Sequence, residues 1–175
     1  MEQERADRVE QLFAAHARAV RAYALRRVDP ATAEDVVSDV FVVAFRQLEA
    51  IPDPPLPWLL ATARKLIANH YRAASRRERL NSELRPLQAG VWSDAHAAGH
   101  PLLAGLARLS ERDREAILLV AWEELEPEAA AAVLGCSRAT FAVRLHRARR
   151  RLAAVMAQQR RAESFSPRLT EATSD

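Results

Sequence analysis

Apolar residues recur at helical spacing along nearly the whole chain. Steps of three and four residues separate apolar positions such as Val37, Phe41 and Ala44, which places them on one face of a helix. We find no convincing alternation of apolar and polar residues, the pattern of a half-buried strand. Seven helices are predicted, at about 5–28, 31–50, 56–85, 102–109, 111–123, 127–134 and 138–160. The sequence therefore predicts an all-α fold.

The predicted helices fall into two groups. Residues 86–101 lack a helical period, contain two glycines and are flanked by prolines, which is typical of a flexible linker. The last residues are polar and rich in serine and threonine. We expect two small helical domains joined by this linker, with boundaries at 1–85, 86–101 and 102–160, and a disordered tail at 161–175.

The segment 126–152 predicts a helix, a three-residue turn and a second helix. Gly135 follows the first helix, where a left-handed backbone is easy only for glycine, and Ser137 can cap the second helix. From Arg138 to Arg161 the chain carries arginines and no acidic residue. A helix-turn-helix with such charge suits a polyanion such as DNA. The alternative is an arginine-rich, solvated helix of a helical bundle.

The segment 31–48 combines acidic residues with an amphipathic helix. Pro30 marks the start of this helix, and Thr32 is its predicted N-cap. Asp35 and Asp39 lie on a different face from the apolar stripe. Taken alone, the pattern favours an ordinary surface helix whose N-terminal acids suit the helix dipole.

The segment 58–79 interleaves aromatic residues with six cations. Trp58, His70 and Tyr71 lie among these basic residues, and Glu78 is the only acidic residue of the segment. Aromatic rings stack on unpaired bases while cations hold the phosphate backbone, so the combination suits single-stranded DNA. The residue pattern is equally consistent with aromatic core anchors beside solvated arginines.

Composition narrows the class of protein. The formal net charge is +3, and the single Cys136 excludes an internal disulfide framework. No apolar run approaches the roughly 20 residues that span a bilayer, and the charged N-terminus has no signal core. We expect a soluble cytoplasmic protein without membrane insertion.

His96 and His100 have a spacing that could hold a metal, but they lie in the predicted linker without an acidic cluster. Neither a metal nor another cofactor is expected.

Four segments follow one another in the order typical of a known family. They are AEDVVSDVF (33–41), WLLATARKLIANHYR (58–72), LARLSERDREAILL (106–119) and LGCSRATFAVRLHRARRRL (134–152). Together they resemble the extracytoplasmic-function (ECF) group of bacterial RNA polymerase sigma factors, in the sigma-70 family. The resemblance implies that the chain is not an enzyme, because the polymerase makes the phosphodiester bonds.

The resemblance also implies a division of labour between the two domains. The first domain would bind core RNA polymerase and recognise and melt the −10 element, and the second would bind the −35 element. Contacts with the clamp helices of the largest subunit would come from Asp35, Ser38, Asp39, Val42 and Phe45. Contacts with the −10 element would come from Trp58, Arg64, Lys65, Asn69, His70, Arg72, Arg76 and Arg77. Contacts with the −35 element would come from Arg138, Thr140, Ala142, Val143, Arg144, His146, Arg147, Arg150 and Arg151. The flap of the second-largest subunit is a further implied contact, and many relatives are held inactive by an anti-sigma factor.

The chain departs from the family pattern at several of these positions. Ser38 replaces the usual glutamine, Lys65 the usual asparagine, and Ala142-Val143 the usual polar pair of the recognition helix. Alanine and valine cannot donate a hydrogen bond to guanine, although their methyl groups can touch thymine. Two alternatives stay open. One is a helix-turn-helix regulator that binds a palindromic operator alone, and the other is a sigma-like adaptor without conventional −35 recognition.

Overall fold

The structure is a computed structural model that describes residues 2–81 and 100–165, and within them it is helical without strands. Its helices are α1 (Glu2–Leu25), α2 (Pro30–Arg46), α3 (Leu56–Asn81), α4 (Pro101–Ala107), α5 (Glu111–Ala121), α6 (Pro127–Leu134) and α7 (Arg138–Phe165). A short 3-10 turn, Leu48–Ala50, follows α2. The predicted all-α class is confirmed. Most of the predicted linker, including His96, and residues 166–175 lie outside the described residues.

Helices α1, α2 and α3 form a first module around an apolar core. The predicted stripe of α2 is buried, with Val37 and Phe41 each 6% exposed and Ala44 fully buried. Leu59 and Leu60 of α3 and Val20 of α1 complete this core. Burial of such side chains from water, at about 25 cal/mol per Å² of apolar surface, is the main force that holds the three helices together.

The start of α2 differs from the prediction in its N-cap. Asp29, rather than Thr32, is the N-cap, and its carboxylate accepts hydrogen bonds from Thr32 N (3.1 Å) and Thr32 Oγ1 (2.6 Å). Pro30 occupies the first helical position, where its missing N–H costs nothing, and this places the cap three residues before the predicted Thr32. The two bonds from Thr32 lower the pKa of Asp29 below its usual value.

Helices α4 to α7 form a second module that contains the predicted helix-turn-helix. Gly135 ends α6 with φ +65°, and Ser137 Oγ accepts the Thr140 N–H at 3.2 Å at the start of α7. Phe141 and Ala148 of α7 are fully buried, as the apolar spacing predicted. Helix α7 continues to Phe165, into the segment that was predicted as a tail.

The two modules pack against each other. Helix α6 lies on α3, and the C-terminal end of α1 contacts α5 and the loop that follows it. Tyr23, which is fully buried, donates a hydrogen bond to Glu115 across this junction at 2.8 Å. The sequence pattern separates the two modules but carries no information about their docking.

Candidate polymerase and DNA interfaces

Helix α2 presents one exposed face that is both acidic and apolar. The residues predicted to bind polymerase are all exposed, namely Asp35, Ser38, Asp39, Val42 and Phe45. Val42 is 46% exposed and Phe45 is 38% exposed, values that are unusual for large apolar side chains. The predicted residues therefore share one accessible face, which suits a protein partner with complementary apolar and basic groups.

Two residues of α1 extend this face and were missed by sequence reasoning. Phe13 is 48% exposed and lies edge-on to Phe41, with 4.8 Å between ring centroids. The Arg5 guanidinium lies 5.6 Å from the Phe45 ring centroid and donates to the Phe45 carbonyl at 2.9 Å. Nothing in the sequence marks these residues, because their proximity to α2 depends on how α1 crosses it.

Helix α3 carries a polar stripe along its exposed side. Lys65, Asn69, Arg72 and Arg76 are exposed and separated by steps of four, three and four residues, so they lie on one face. Arg72 donates a hydrogen bond to Asn69 Oδ1, which orients the amide within the stripe. Three cations and one amide along one helix face suit a phosphate backbone and a base edge.

The other predicted −10 residues do not all belong to this stripe. Trp58 is half-buried against the core, as in the core-anchor interpretation, although part of its ring stays accessible. Arg64 is exposed but lines a cavity between the modules. His70 is exposed and stands edge-on to Tyr71 at 6.1 Å between ring centroids. The side chain of Arg77 lies outside the described residues.

The outward face of α7 is basic and exposed, as expected for the predicted recognition helix. Most residues predicted to bind the −35 element are exposed, namely Arg138, Thr140, Ala142, Val143, His146, Arg147 and Arg150. Val143 is 51% exposed, and it lies on the side opposite the buried Phe141 and Leu145. An apolar residue at the centre of a basic helix face favours contact with a thymine methyl group over a hydrogen bond to guanine.

Two predicted −35 residues also contact other parts of the chain. Arg151 forms an ion pair with Asp113 of α5, a carboxylate whose side chain is only 8% exposed. Arg144 is partly buried and lines the cavity between the modules together with Arg64. Position on the helix alone could not reveal these neighbours, because Asp113 and Arg64 are distant in sequence from Arg151 and Arg144.

A groove beside the recognition helix adds two residues that sequence reasoning missed. The groove has a volume of about 590 Å³, and its wall includes Ser110 and Arg112 as well as Val143 and Arg147. Ser110 is the N-cap of α5, and its hydroxyl accepts the Asp113 N–H at 3.3 Å. Arg112 is exposed and lines both this groove and the cavity between the modules. The only available signal was its position two residues after the cap.

No helix in the described parts of the chain is long and apolar enough to cross a membrane.

Comparison with known proteins agrees with this architecture. A family model described as Sigma-70 region 2 matches residues 12–77, and one described as Sigma-70, region 4 matches residues 100–152. The chain is 31% identical over 139 residues to the ECF RNA polymerase sigma factor EcfG of Rhodopseudomonas palustris (strain TIE-1), which covers 77% of this chain and 76% of that protein. It is 35% identical over 130 residues to the ECF RNA polymerase sigma factor SigC of Mycobacterium tuberculosis, with 69% and 68% covered.

Solved sigma-factor structures have the same fold. The sigma factor RpoE of Bartonella quintana, in complex with the anti-sigma factor NepR, aligns with a TM-score of 0.63 at 26% identity, over 85% of this chain and 96% of that one. CnrH, in complex with the cytosolic domain of CnrY, aligns with a TM-score of 0.58 at 27% identity, over 86% and 88%. With both modules matched in order, the chain belongs to the ECF RNA polymerase sigma factors of the sigma-70 family.

Proposed function

We propose that this chain binds core RNA polymerase through the α2 face and directs it to promoters that the α3 stripe and the α7 recognition helix read together. One observation carries the proposal: a single chain presents an acidic, partly apolar face on its first module and exposed basic helix faces on both modules. The polymerase performs the catalysis, and the chain acts in the cytoplasm, where the polymerase works.

The polymerase contact is assigned to Asp35, Ser38, Asp39, Val42 and Phe45, facing the clamp helices of the largest subunit. Exposed Val42 and Phe45 supply apolar area that is lost from water on docking, and the flanking carboxylates supply charge complementarity. Ser38 is shorter than the family's usual glutamine, so the apolar pair carries a larger share of this contact. The second module contributes a further contact to the flap of the second-largest subunit.

The −10 contact is assigned to the exposed stripe of α3. Lys65, Arg72 and Arg76 hold the phosphates, and Asn69 is the only member of the stripe whose amide can both donate to and accept from a base edge. Trp58 offers the accessible part of its ring for stacking at the start of the same helix. The cations of the stripe thus hold the DNA strand, while the Asn69 amide and the Trp58 ring contact its bases.

The −35 contact is assigned to the outward face of α7, with mainly backbone contacts. Arg138, Arg147 and Arg150 reach phosphates, while Ala142 and Val143 offer only methyl groups to base edges. A second candidate function follows from this pair of apolar residues. The chain would then act as a polymerase adaptor whose −35 contact adds affinity but little sequence selectivity.

An anti-sigma factor is a further proposed partner. The solved sigma factor RpoE is bound to the anti-sigma factor NepR, and its fold matches 85% of this chain. The exposed apolar face of α2 is a surface that such a protein could cover in competition with polymerase.

Run-off transcription with purified core polymerase on a genomic fragment library tests these proposals together. The sigma-factor function predicts discrete transcripts whose start sites share a −10 and a −35 sequence. The adaptor function predicts a shared −10 sequence without a shared −35 sequence. If the protein fails to join core polymerase but binds a palindromic operator as a dimer, it is a stand-alone regulator and both proposals are wrong.

A further inference from the structure

A cavity with a volume of about 550 Å³ lies where the two modules meet. Residues of α1, α3, α5 and α7 line it, together with the turn between α6 and α7. In the part of the chain that the structure describes, its wall contains six arginines, namely Arg26, Arg27, Arg64, Arg112, Arg114 and Arg144. The same described wall contains two carboxylates, those of Glu111 and Glu115. The wall therefore carries an excess of positive charge, which attracts anions into a confined volume.

Three of these arginines already bind other groups of the protein. Arg26 Nη2 lies 2.6 Å from both carboxylate oxygens of Glu123. Arg27 Nη2 lies 2.8 Å from Glu115 Oε2. Arg114 donates hydrogen bonds to three backbone carbonyls at and just after the C-terminal end of α4. These three side chains fix the shape of the wall and have few donors left for a ligand.

The other three arginines are available to a ligand. Within residues 2–81 and 100–165, Arg64, Arg112 and Arg144 form no hydrogen bond and no ion pair. Arg64 and Arg112 are exposed, and Arg144 is partly buried. Because Glu115 is held in an ion pair, Glu111 is the remaining carboxylate of the described wall that opposes these three charges. A ligand with two or more negative charges would offset this excess.

The rest of the wall is suited to an organic group. Ile67, Leu118 and Leu134 contribute apolar side chains, and the half-buried Tyr71 contributes part of its ring. The Tyr71 hydroxyl donates a hydrogen bond to the Arg27 carbonyl, which fixes the position of this ring. Ligand sites of roughly 300–1,000 Å³ combine apolar walls with a few polar groups. The cavity has this size and this mixture, so it fits a molecule with a charged end and an apolar part.

Phosphate is the anion that several guanidinium groups favour. A guanidinium presents parallel N–H donors that match two oxygens of a phosphate or a carboxylate. A phosphate monoester carries a charge of about −1.5 to −2 at pH 7, and a second phosphate adds to it. A carboxylate carries a single charge and two oxygens. Two linked phosphates can therefore engage several arginines at once, which one carboxylate cannot do.

We propose that this cavity is a binding site for a small organic molecule with two linked phosphate groups, of about the size of a nucleoside diphosphate. Arg64, Arg112 and Arg144 hold the phosphates, and the apolar part of the wall packs against the organic group. Arg64 belongs to the first module, whereas Arg112 and Arg144 belong to the second, so neither module alone provides the site. The proposal does not rest on the proposed function, because it uses only the charge, size and lining of the cavity.

Isothermal titration calorimetry of the full chain tests the site with three probes, which are ADP, inorganic pyrophosphate and adenosine. ADP should bind at a single site per chain. Pyrophosphate should bind more weakly, because it lacks the organic group that the apolar wall contacts. Adenosine should give no measurable binding, because it has no phosphate for the arginines. The titrations contain no polymerase and no DNA, so their outcome is separate from that of the run-off assay.

Four variants locate the ADP site. Arg64→Ala and Arg112→Ala change exposed side chains in different modules, and each should weaken ADP binding about tenfold, the loss expected for a hydrogen bond between charged groups. Arg144→Lys keeps a charge at the partly buried position but loses the parallel donors, so it should weaken binding less. Glu111→Gln should strengthen ADP binding, because it removes a carboxylate that repels the phosphates.

Arg18→Ala and Arg149→Ala are the matched controls, because they remove exposed arginines that lie outside the cavity, one in each module. Both should bind ADP as tightly as the parent. Equal losses in these controls and in Arg64→Ala would overturn the proposal, since the basic surface in general would then attract the anion. A loss in Arg112→Ala without one in Arg64→Ala would also overturn it, because the site would then lie on the second module alone.

Two results with the parent protein would overturn the proposal directly. One is the absence of binding by both ADP and pyrophosphate at millimolar concentration. The other is binding of pyrophosphate as tight as that of ADP, because the apolar wall would then contact no organic group of the ligand.

Discussion

Replacement of Gly135 by alanine isolates the backbone cost of the tight turn between α6 and α7. Gly135 has φ +65° and ψ +39°, in the left-handed region. A Cβ atom built at this position meets no other heavy atom within 4 Å. The substitution therefore adds no steric clash with neighbouring residues, and its cost comes from the conformation of residue 135 alone.

The size of this cost follows from two opposing contributions. An L-residue with a Cβ in the left-handed region loses roughly 1–2 kcal/mol relative to glycine. Alanine recovers about 0.5–1 kcal/mol because it loses less conformational freedom than glycine on folding. We expect Gly135→Ala to lower the free energy of unfolding by about 1 kcal/mol, which is about 2–4 °C in Tm for a chain of this size.

Urea unfolding followed by far-ultraviolet circular dichroism measures this difference, with an unchanged m-value as the sign that the denatured state is not affected. Gly135→Asn is the matched variant and should lose less, because asparagine tolerates the left-handed region better than alanine. No loss of stability in Gly135→Ala would refute the assigned backbone conformation. A loss above about 3 kcal/mol would mean that the turn is packed more tightly than the structure shows.

Three further predictions concern single residues. Glu124 has φ +52°, so Glu124→Gly should raise the free energy of unfolding by about 1 kcal/mol in the same urea assay, while Glu124→Ala, which keeps a Cβ, should not. Asp39→Arg should weaken binding of core polymerase in a pull-down, and Asp39→Asn should weaken it less. Equal binding by the parent, Asp39→Arg and Asp39→Asn would show that Asp39 is not in the interface. Arg147→Ala should weaken promoter binding by the holoenzyme by roughly 1–3 kcal/mol if the guanidinium contacts a base, or reduce the salt dependence by about one ion if it contacts phosphate. Arg149→Ala, on another side of α7, should do neither.

Much of the local structure could be predicted from the sequence. The apolar spacing that includes Phe141 and Ala148 identified the buried side of the recognition helix, and Gly135 and Ser137 identified its turn and cap. These features depend on contacts within one or two helical turns, which residue spacing encodes directly. The N-cap of α2 was assigned wrongly to Thr32, because serine, threonine and aspartate compete for such positions and only the backbone geometry decides among them.

The candidate site was only partly predictable. Residue spacing predicts which side chains share a face of an isolated helix, but not which side chains of other helices pack beside that face. Arg151, which was predicted to contact DNA, also pairs with Asp113 of another helix while its side chain stays 61% exposed. Phe13 and Arg5 join the proposed polymerase surface through the crossing of α1 over α2. Their contributions depend on interhelical angles, for which the sequence offers no periodic signal.

The sequence by itself determined the helices, the charged and apolar faces and the family, because each depends on local spacing or on motifs in order. Only the tertiary structure decided that the modules dock and that Arg64 and Arg144 face the same cavity. Two ion pairs across this docking, Arg27–Glu115 and Arg26–Glu123, join residues 88 and 97 positions apart in the chain. Residues so far apart in the chain could pair with many other charged residues. Burial of the whole junction from water favours these particular pairs.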